Sequence, residues 1–124
     1  MGSTTSRLLQ TSALLVSLLT TTGALAHAHL KNQSPAADRQ APETPRELTL
    51  TFSEGVEANF SGLTLTGPAQ VKVATGPATV NGKNNTQLVV PLEQPLASGN
   101  YTVDWHVVSV DGHKTKGQYH FSVK

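Results

Sequence analysis

No cysteine occurs in this chain, and its single methionine is Met1. The first absence rules out disulfides, thiolate metal sites and cysteine nucleophiles. The second denies thioether ligands to any form of the protein that has lost its first residues. Charge of one sign is missing as well. Nine Lys and Arg stand against eight Asp and Glu, a formal net charge of +1, which argues against nucleic acid or an anionic membrane as the main partner. Aromatic residues are few: three Phe, two Tyr and one Trp. Long hydrophobic runs are also lacking. The apolar stretch "LLQTSALLVSLL" near the start falls short of the about 20 residues needed to cross a bilayer, and no later segment approaches that length.

What that stretch does fit is a secretory leader. Arg7 is the only charge before position 31, and the apolar core is followed by the small, polar segment "TTTGALA". Residues 1–26 are read as a signal peptide, and the exported, soluble remainder, 27–124, as one small domain of 98 residues. Two registers satisfy the small-x-small rule, Ala24-Leu25-Ala26 and Ala26-His27-Ala28. The first is favoured because its middle residue is apolar and it lies nearer the leader core. Either cut leaves a histidine as the first residue, His27 or His29. Arg7 departs with the leader, so the mature chain balances eight cations against eight anions.

After residue 27 the pattern has period two. In "ELTLTFSE", Leu48, Leu50 and Phe52 alternate with Thr49, Thr51 and Ser53. "FSGLTLTG", "QVKVA", "QLVVPL", "NYTVDWHVVSV" and "QYHFSVK" repeat the theme. Between them lie breakers: "SPAAD", "APETP", "TGPAQ", "TGPAT", "NGKNN", "ASGN" and "DGHKTKG". Short strands at turn-delimited intervals of about ten residues predict an all-β fold, an antiparallel Ig-like sandwich or small barrel. Leu48, Leu50, Phe52, Val103, Trp105 and Val107 are the expected core.

The densest polar cluster near a strand end is "VDWHVVSVDGHKTKG". Were residues 103–113 to run extended, Trp105, Val107, Ser109, Asp111 and His113 would share one face, and Asp104, His106, Val108 and Val110 the other. Asp111 and His113 would then project together as a carboxylate and an imidazole able to grip one ion. The competing reading makes Asp111-Gly112 a plain hairpin turn and His113 an exposed turn residue. A processed terminus alters the balance. His27 at the N-terminus offers its α-amine and its imidazole Nδ1, which close a six-membered chelate ring. The amine's pKa of about 8 lets a strongly binding ion displace its proton near neutrality. With Asp111 and His113 the set becomes three nitrogens and one oxygen, the tetragonal preference of Cu(II). Cu(I) would prefer sulfur, which the mature chain lacks.

"HAHLKNQSPA", "LTFSEGVEANFSG" and "YTVDWHVVSVDGHKTKGQYHFSVK" closely resemble the CopC family of periplasmic copper-binding proteins, and within it the YobA-like members. The resemblance spans nearly all of the mature chain. It implies a Greek-key β-sandwich or barrel and a Cu(II) site at His27, Asp111 and His113, one ion per chain. Some members carry a Met-rich loop for Cu(I). This sequence departs from them there, which implies a Cu(II)-only member. The resemblance also implies a CopD-like inner-membrane copper transporter as partner.

Other residues compete for a place at the ion. His29, third from the expected terminus, makes "His-Ala-His" a possible amino-terminal copper motif using the amine, two deprotonated amides and its own imidazole. That motif demands a flexible terminus. Glu54 in "FSE" matches a family carboxylate near the copper, and reads equally well as a solvated strand-end glutamate. His106 and His120 are read as structural, Trp105 as core. The function expected is a monomeric periplasmic Cu(II) carrier or buffer for copper homeostasis or resistance, not an enzyme. Two other readings stand beside it. One is a copper monooxygenase with a terminal-histidine brace, which would need an open coordination position and a flat aromatic surface. The other is a metal-free Ig-like interaction domain.

Overall fold

A computed structural model describes residues 28–124; the leader 1–26 and His27 lie outside the described residues. Nine strands are present: β1 (Leu30–Ser34), β2 (Gln40–Ala41), β3 (Glu47–Phe52), β4 (Gly62–Thr66), β5 (Lys72–Val73), β6 (Thr79–Asn81), β7 (Gln87–Pro91), β8 (Gly99–Val108) and β9 (Lys114–Val123). Single turns of 3₁₀ helix interrupt the connections at Ala58–Phe60, Pro68–Gln70 and Lys83–Asn85. Among the described residues no helix is long and apolar enough to cross a membrane.

The strands form two sheets, ordered β1-β3-β7-β6 and β2-β9-β8-β4-β5. Every named pairing is antiparallel except the short β2–β9 contact. Three pairings, β4–β5, β6–β7 and β8–β9, join consecutive strands, and the other four join non-consecutive strands because the chain crosses repeatedly from one sheet to the other. The result is the sandwich that the spacing of strands and breakers predicts.

Alternation produces the core directly. Leu48, Leu50 and Phe52 are buried while Thr49 and Thr51 are only partly covered. From the other sheet, Tyr101, Val103, Trp105 and Val107 of β8 meet them, joined by Tyr119, Phe121 and Val123 of β9. Each such side chain contributes about 1.5–3 kcal/mol when fully buried, so apolar packing holds together a domain that has no disulfides. Phe52 meets Trp105 edge to face, with ring centroids 5.2 Å apart, and Tyr101 stacks on Phe121 at 5.4 Å.

Three strands, β1, β2 and β6, escape the sequence pattern, and one breaker is misread. "DGHKTKG" suggests a loop through residue 117, yet β9 begins at Lys114. Gly117 sits inside the strand because it faces the Trp105 ring. A Cβ there would stand 2.5 Å from Cζ2 and 2.7 Å from Cε2 of that indole. Gly117→Ala should therefore cost about 1–3 kcal/mol through overpacking, and thermal unfolding should fall by roughly 4–8 °C for each kcal/mol lost. A melting temperature equal to wild type would mean the indole can shift without penalty.

Candidate metal centre

The longest hairpin of the molecule carries the site at its tip. β8 and β9 stay in register from Gly99↔Val123 to Val108↔Lys114. Beyond that last pair Ser109 N–H donates to His113 O at 2.9 Å, and Gly112 N–H donates to Ser109 O at 2.8 Å. Val110, Asp111 and Gly112 thus form a three-residue loop. Gly112 supplies the positive φ, +91°, that such a loop requires.

Closing this loop folds Asp111 back onto its neighbours. Asp111 Oδ1 lies 3.0 Å from His113 Nδ1, both side chains remaining partly exposed. The same oxygen accepts the hydroxyl of Ser109 and, at 3.4 Å, the backbone N–H of His113. Residues 103–113 are not continuously extended, so strict alternation is not what unites Asp111 with His113. The hairpin turn and the Asp111–His113 pair are one feature, where the sequence offers a turn and a joint projection of the two side chains as competing readings. Hydrogen bonds from Ser109 first, and from His113 next, hold the Asp111 carboxyl down at about 2. Because the folded value lies below the unfolded one, its stabilising contribution is complete above the ordinary carboxylate range and is lost as pH falls through about 2. At neutral pH Asp111 is an anion aimed at an imidazole.

Other segments are drawn to the same end of the sandwich. Ala28 is buried, and its carbonyl accepts Thr115 Oγ1 at 3.2 Å, two residues beyond His113. His29 is pinned to Ser53 twice: its N–H donates to Ser53 Oγ, and its carbonyl accepts Ser53 N–H, each at 2.8 Å. The described chain thus begins beside the loop. Val56 bridges to Ser109, and Val110 N–H donates to Gly55 O at 2.9 Å, which lays the Glu54–Val56 segment along it. Glu54 Oε1 is enclosed and makes no hydrogen bond within the described residues. An enclosed carboxylate oxygen without a donor is costly, and a cation would satisfy it.

Asp111 Oδ1 and His113 Nδ1 lie 3.0 Å apart in direct contact, and together they offer one oxygen and one nitrogen that a metal ion could hold in place of a shared proton. The pair alone does not make a cage. Among the described residues no group of three His, Cys, Asp or Glu is arranged to hold a metal ion. Completing a copper site therefore calls for donors outside them, and His27 is the residue that precedes Ala28.

The remaining candidates lie elsewhere. His106 is exposed on the outer face of β8, opposite Lys116. His120 is exposed too, with Nδ1 3.0 Å from Thr102 Oγ1. Both are surface residues on the side of the sheet away from the core. Trp105 belongs to the core, four residues and about 13 Å of strand back from Ser109. The exposed His29 has its backbone N–H occupied by Ser53, which opposes a motif that must deprotonate that amide. Sequence reasoning passed over Ser109, although its signal was visible. It continues the inward positions Tyr101, Val103, Trp105 and Val107, yet it is polar, and it is completely buried.

Comparison with known proteins supplies the relatives. The family model described as "CopC domain" matches residues 30–124. Protein YobA of Escherichia coli K12 is 53% identical over 124 residues, covering 100% of both chains. Among solved structures, CopC from Methylosinus trichosporium OB3b aligns with a TM-score of 0.72 and 30% identity over 79% of this chain and 94% of that one. PcoC, described as a methionine-rich copper resistance protein from Escherichia coli, gives 0.71 and 36% over 80% and 100%.

Proposed function

The chain belongs to the CopC domain family, and from that premise we propose that its mature form is a periplasmic Cu(II)-binding protein of copper homeostasis or resistance. It carries or buffers one cupric ion through His27, Asp111 and His113, and exchanges that ion with a CopD-like transporter in the inner membrane. Copper is its cargo, and it is not an enzyme.

The observation that carries this reading is the Asp111–His113 pair, held 3.0 Å apart on a closed loop. Support for the third residue comes from chain geometry. Consecutive Cα atoms are about 3.8 Å apart, and Ala28, the residue after His27, is bonded to Thr115 beside that loop. Removal of residues 1–26 turns the His27 amide into an amine, and amine plus imidazole provide the remaining nitrogens. Oxidation state follows from donor type. PcoC is described as methionine-rich, whereas the only methionine here is Met1 and no cysteine exists. A nitrogen and oxygen set without sulfur favours Cu(II).

The oxidative-enzyme alternative has little to stand on. Of the six aromatic side chains only Phe60 is exposed, the other five being buried, so no flat aromatic platform flanks the loop. Asp111 as a ligand also fills a position that oxygen chemistry would need open.

Titration of the processed protein tests the reading. One equivalent of Cu(II) should bind tightly, with an electron paramagnetic resonance spectrum showing several nitrogen donors. Absence of tight binding would leave a metal-free interaction domain. Ascorbate-driven oxidation of a polysaccharide by the copper form would move the protein to the enzymes.

A further inference from the structure

Ser109 is completely buried at a position where the β8 pattern calls for an apolar side chain. A buried hydroxyl is tolerated only where it finds partners, and the polar groups of Ser109 turn to the loop that carries the proposed ligands. Its N–H donates to His113 O at 2.9 Å, and its carbonyl accepts Gly112 N–H at 2.8 Å. Its Oγ lies within reach of Asp111 Oδ1, and 3.2 Å from both the nitrogen and the oxygen of the His113 backbone. A hydroxyl has one proton. The carboxylate is the closer and the charged acceptor, so it takes that proton, while the lone pairs of Oγ receive His113 N–H. Behind it, the bridge from Val56 to Ser109 fixes the residue to the connection between β3 and β4.

We propose that Ser109 is a positioning residue for the copper site: its hydroxyl locks the Asp111 carboxylate and the His113 backbone into ligand geometry before the ion arrives. The inference rests on the copper-site reading above. Its physical basis is the freedom of an exposed aspartate at a loop tip. Without a buried anchor the Asp111 side chain samples solvent-facing rotamers, and each binding event must then order it. Hydrogen-bonded partners behind metal ligands typically change affinity about 10–100-fold when removed.

Three variants of the processed full-length mature protein separate the possibilities. In Ser109→Ala, Cu(II) affinity from competition titration should fall about 10–100-fold. The electron paramagnetic resonance parameters at saturating copper should shift as the carboxylate reorients. The melting temperature of the metal-free protein should fall only modestly at neutral pH, since the hydrogen bond to Asp111 is lost but alanine suits the apolar pattern. Ser109→Thr keeps the hydroxyl and should recover part of the affinity and the original spectrum. His113→Ala provides the reference. Wild-type affinity and spectrum in Ser109→Ala, with binding lost in His113→Ala, would overturn the role of Ser109 and leave the copper site standing. Equal weakening in the alanine and threonine variants, in step with a fall in melting temperature, would reduce Ser109 to a core residue. Undiminished binding in His113→Ala would defeat the copper-site reading itself.

Discussion

Protein that retains a methionine or a tag ahead of His27 should bind Cu(II) orders of magnitude more weakly than the processed chain. Acylating the terminal nitrogen replaces a basic amine by an amide, which is not a ligand until it loses a proton far less readily. One donor and the six-membered chelate ring disappear together, while Asp111, His113 and the His27 imidazole are untouched. The loss should exceed the roughly 10–100-fold that follows removal of an outer hydrogen-bond partner. Competition titration of the two forms side by side measures it. Equal affinities would remove the amine from the site and leave the loop residues or His29 to account for binding. A consequence for biology follows. If residues 1–26 are a cleaved leader and the terminal amine is a ligand, the precursor would lack a complete site, and competence to hold copper would arise only with export and cleavage.

Removal of one imidazole should divide the histidines just as sharply. His113→Ala takes away the nitrogen 3.0 Å from Asp111 Oδ1, and Cu(II) affinity should again drop by orders of magnitude. His106→Ala should leave it unchanged, because His106 stands on the outer sheet face opposite Lys116. His113 is about half exposed and His106 is exposed, so neither change removes core packing, and melting curves of the metal-free variants should lie close to the wild type. The comparison therefore reads ligation and not stability. A binding loss in His106→Ala that matches the loss in His113→Ala would mean the ion sits on the outer face of the sheet.

Much of the architecture is visible in the strand pattern because alternation is a local signal. Leu48, Leu50 and Phe52 reveal β3 by the threonines between them, and the same holds for the inward residues of β8. The strands that stay hidden carry little apolar contrast. β1 reads "LKNQS" and pairs with β3 through Leu30↔Phe52 and Ser34↔Thr49, so its conformation is imposed by a neighbour already in place. Gly117 misleads for a related reason. A glycine closing the polar run "DGHKTKG" resembles part of a turn until the indole it must accommodate is known.

The site divides along the same line. Asp111 and His113 stand out by spacing, but spacing alone offers either a ligand pair or an ordinary turn. Closure of the loop by Ser109 shows that the turn brings Asp111 and His113 within 3.0 Å of each other, so a turn and a paired carboxylate and imidazole are not alternatives. Ser109 remains hidden from a residue-by-residue reading because a hydroxyl declares no partner in sequence. The orphaned oxygen of Glu54 likewise becomes meaningful only once Gly55 and Val56 are seen bonded to the Ser109–Val110 segment.

Residue chemistry by itself determined which donors the protein can offer. No sulfur remains after the first residue, histidines follow an apolar stretch, and nine Lys and Arg nearly balance eight Asp and Glu. Those properties belong to side-chain types and need no coordinates. How the loop brings His113 onto Asp111, and where Ala28 comes to rest, was decided by the folded structure. The hydrogen bond from Thr115 to Ala28 joins residues 87 apart, and such a contact is chosen by the packing of two sheets and not by any local preference of the chain.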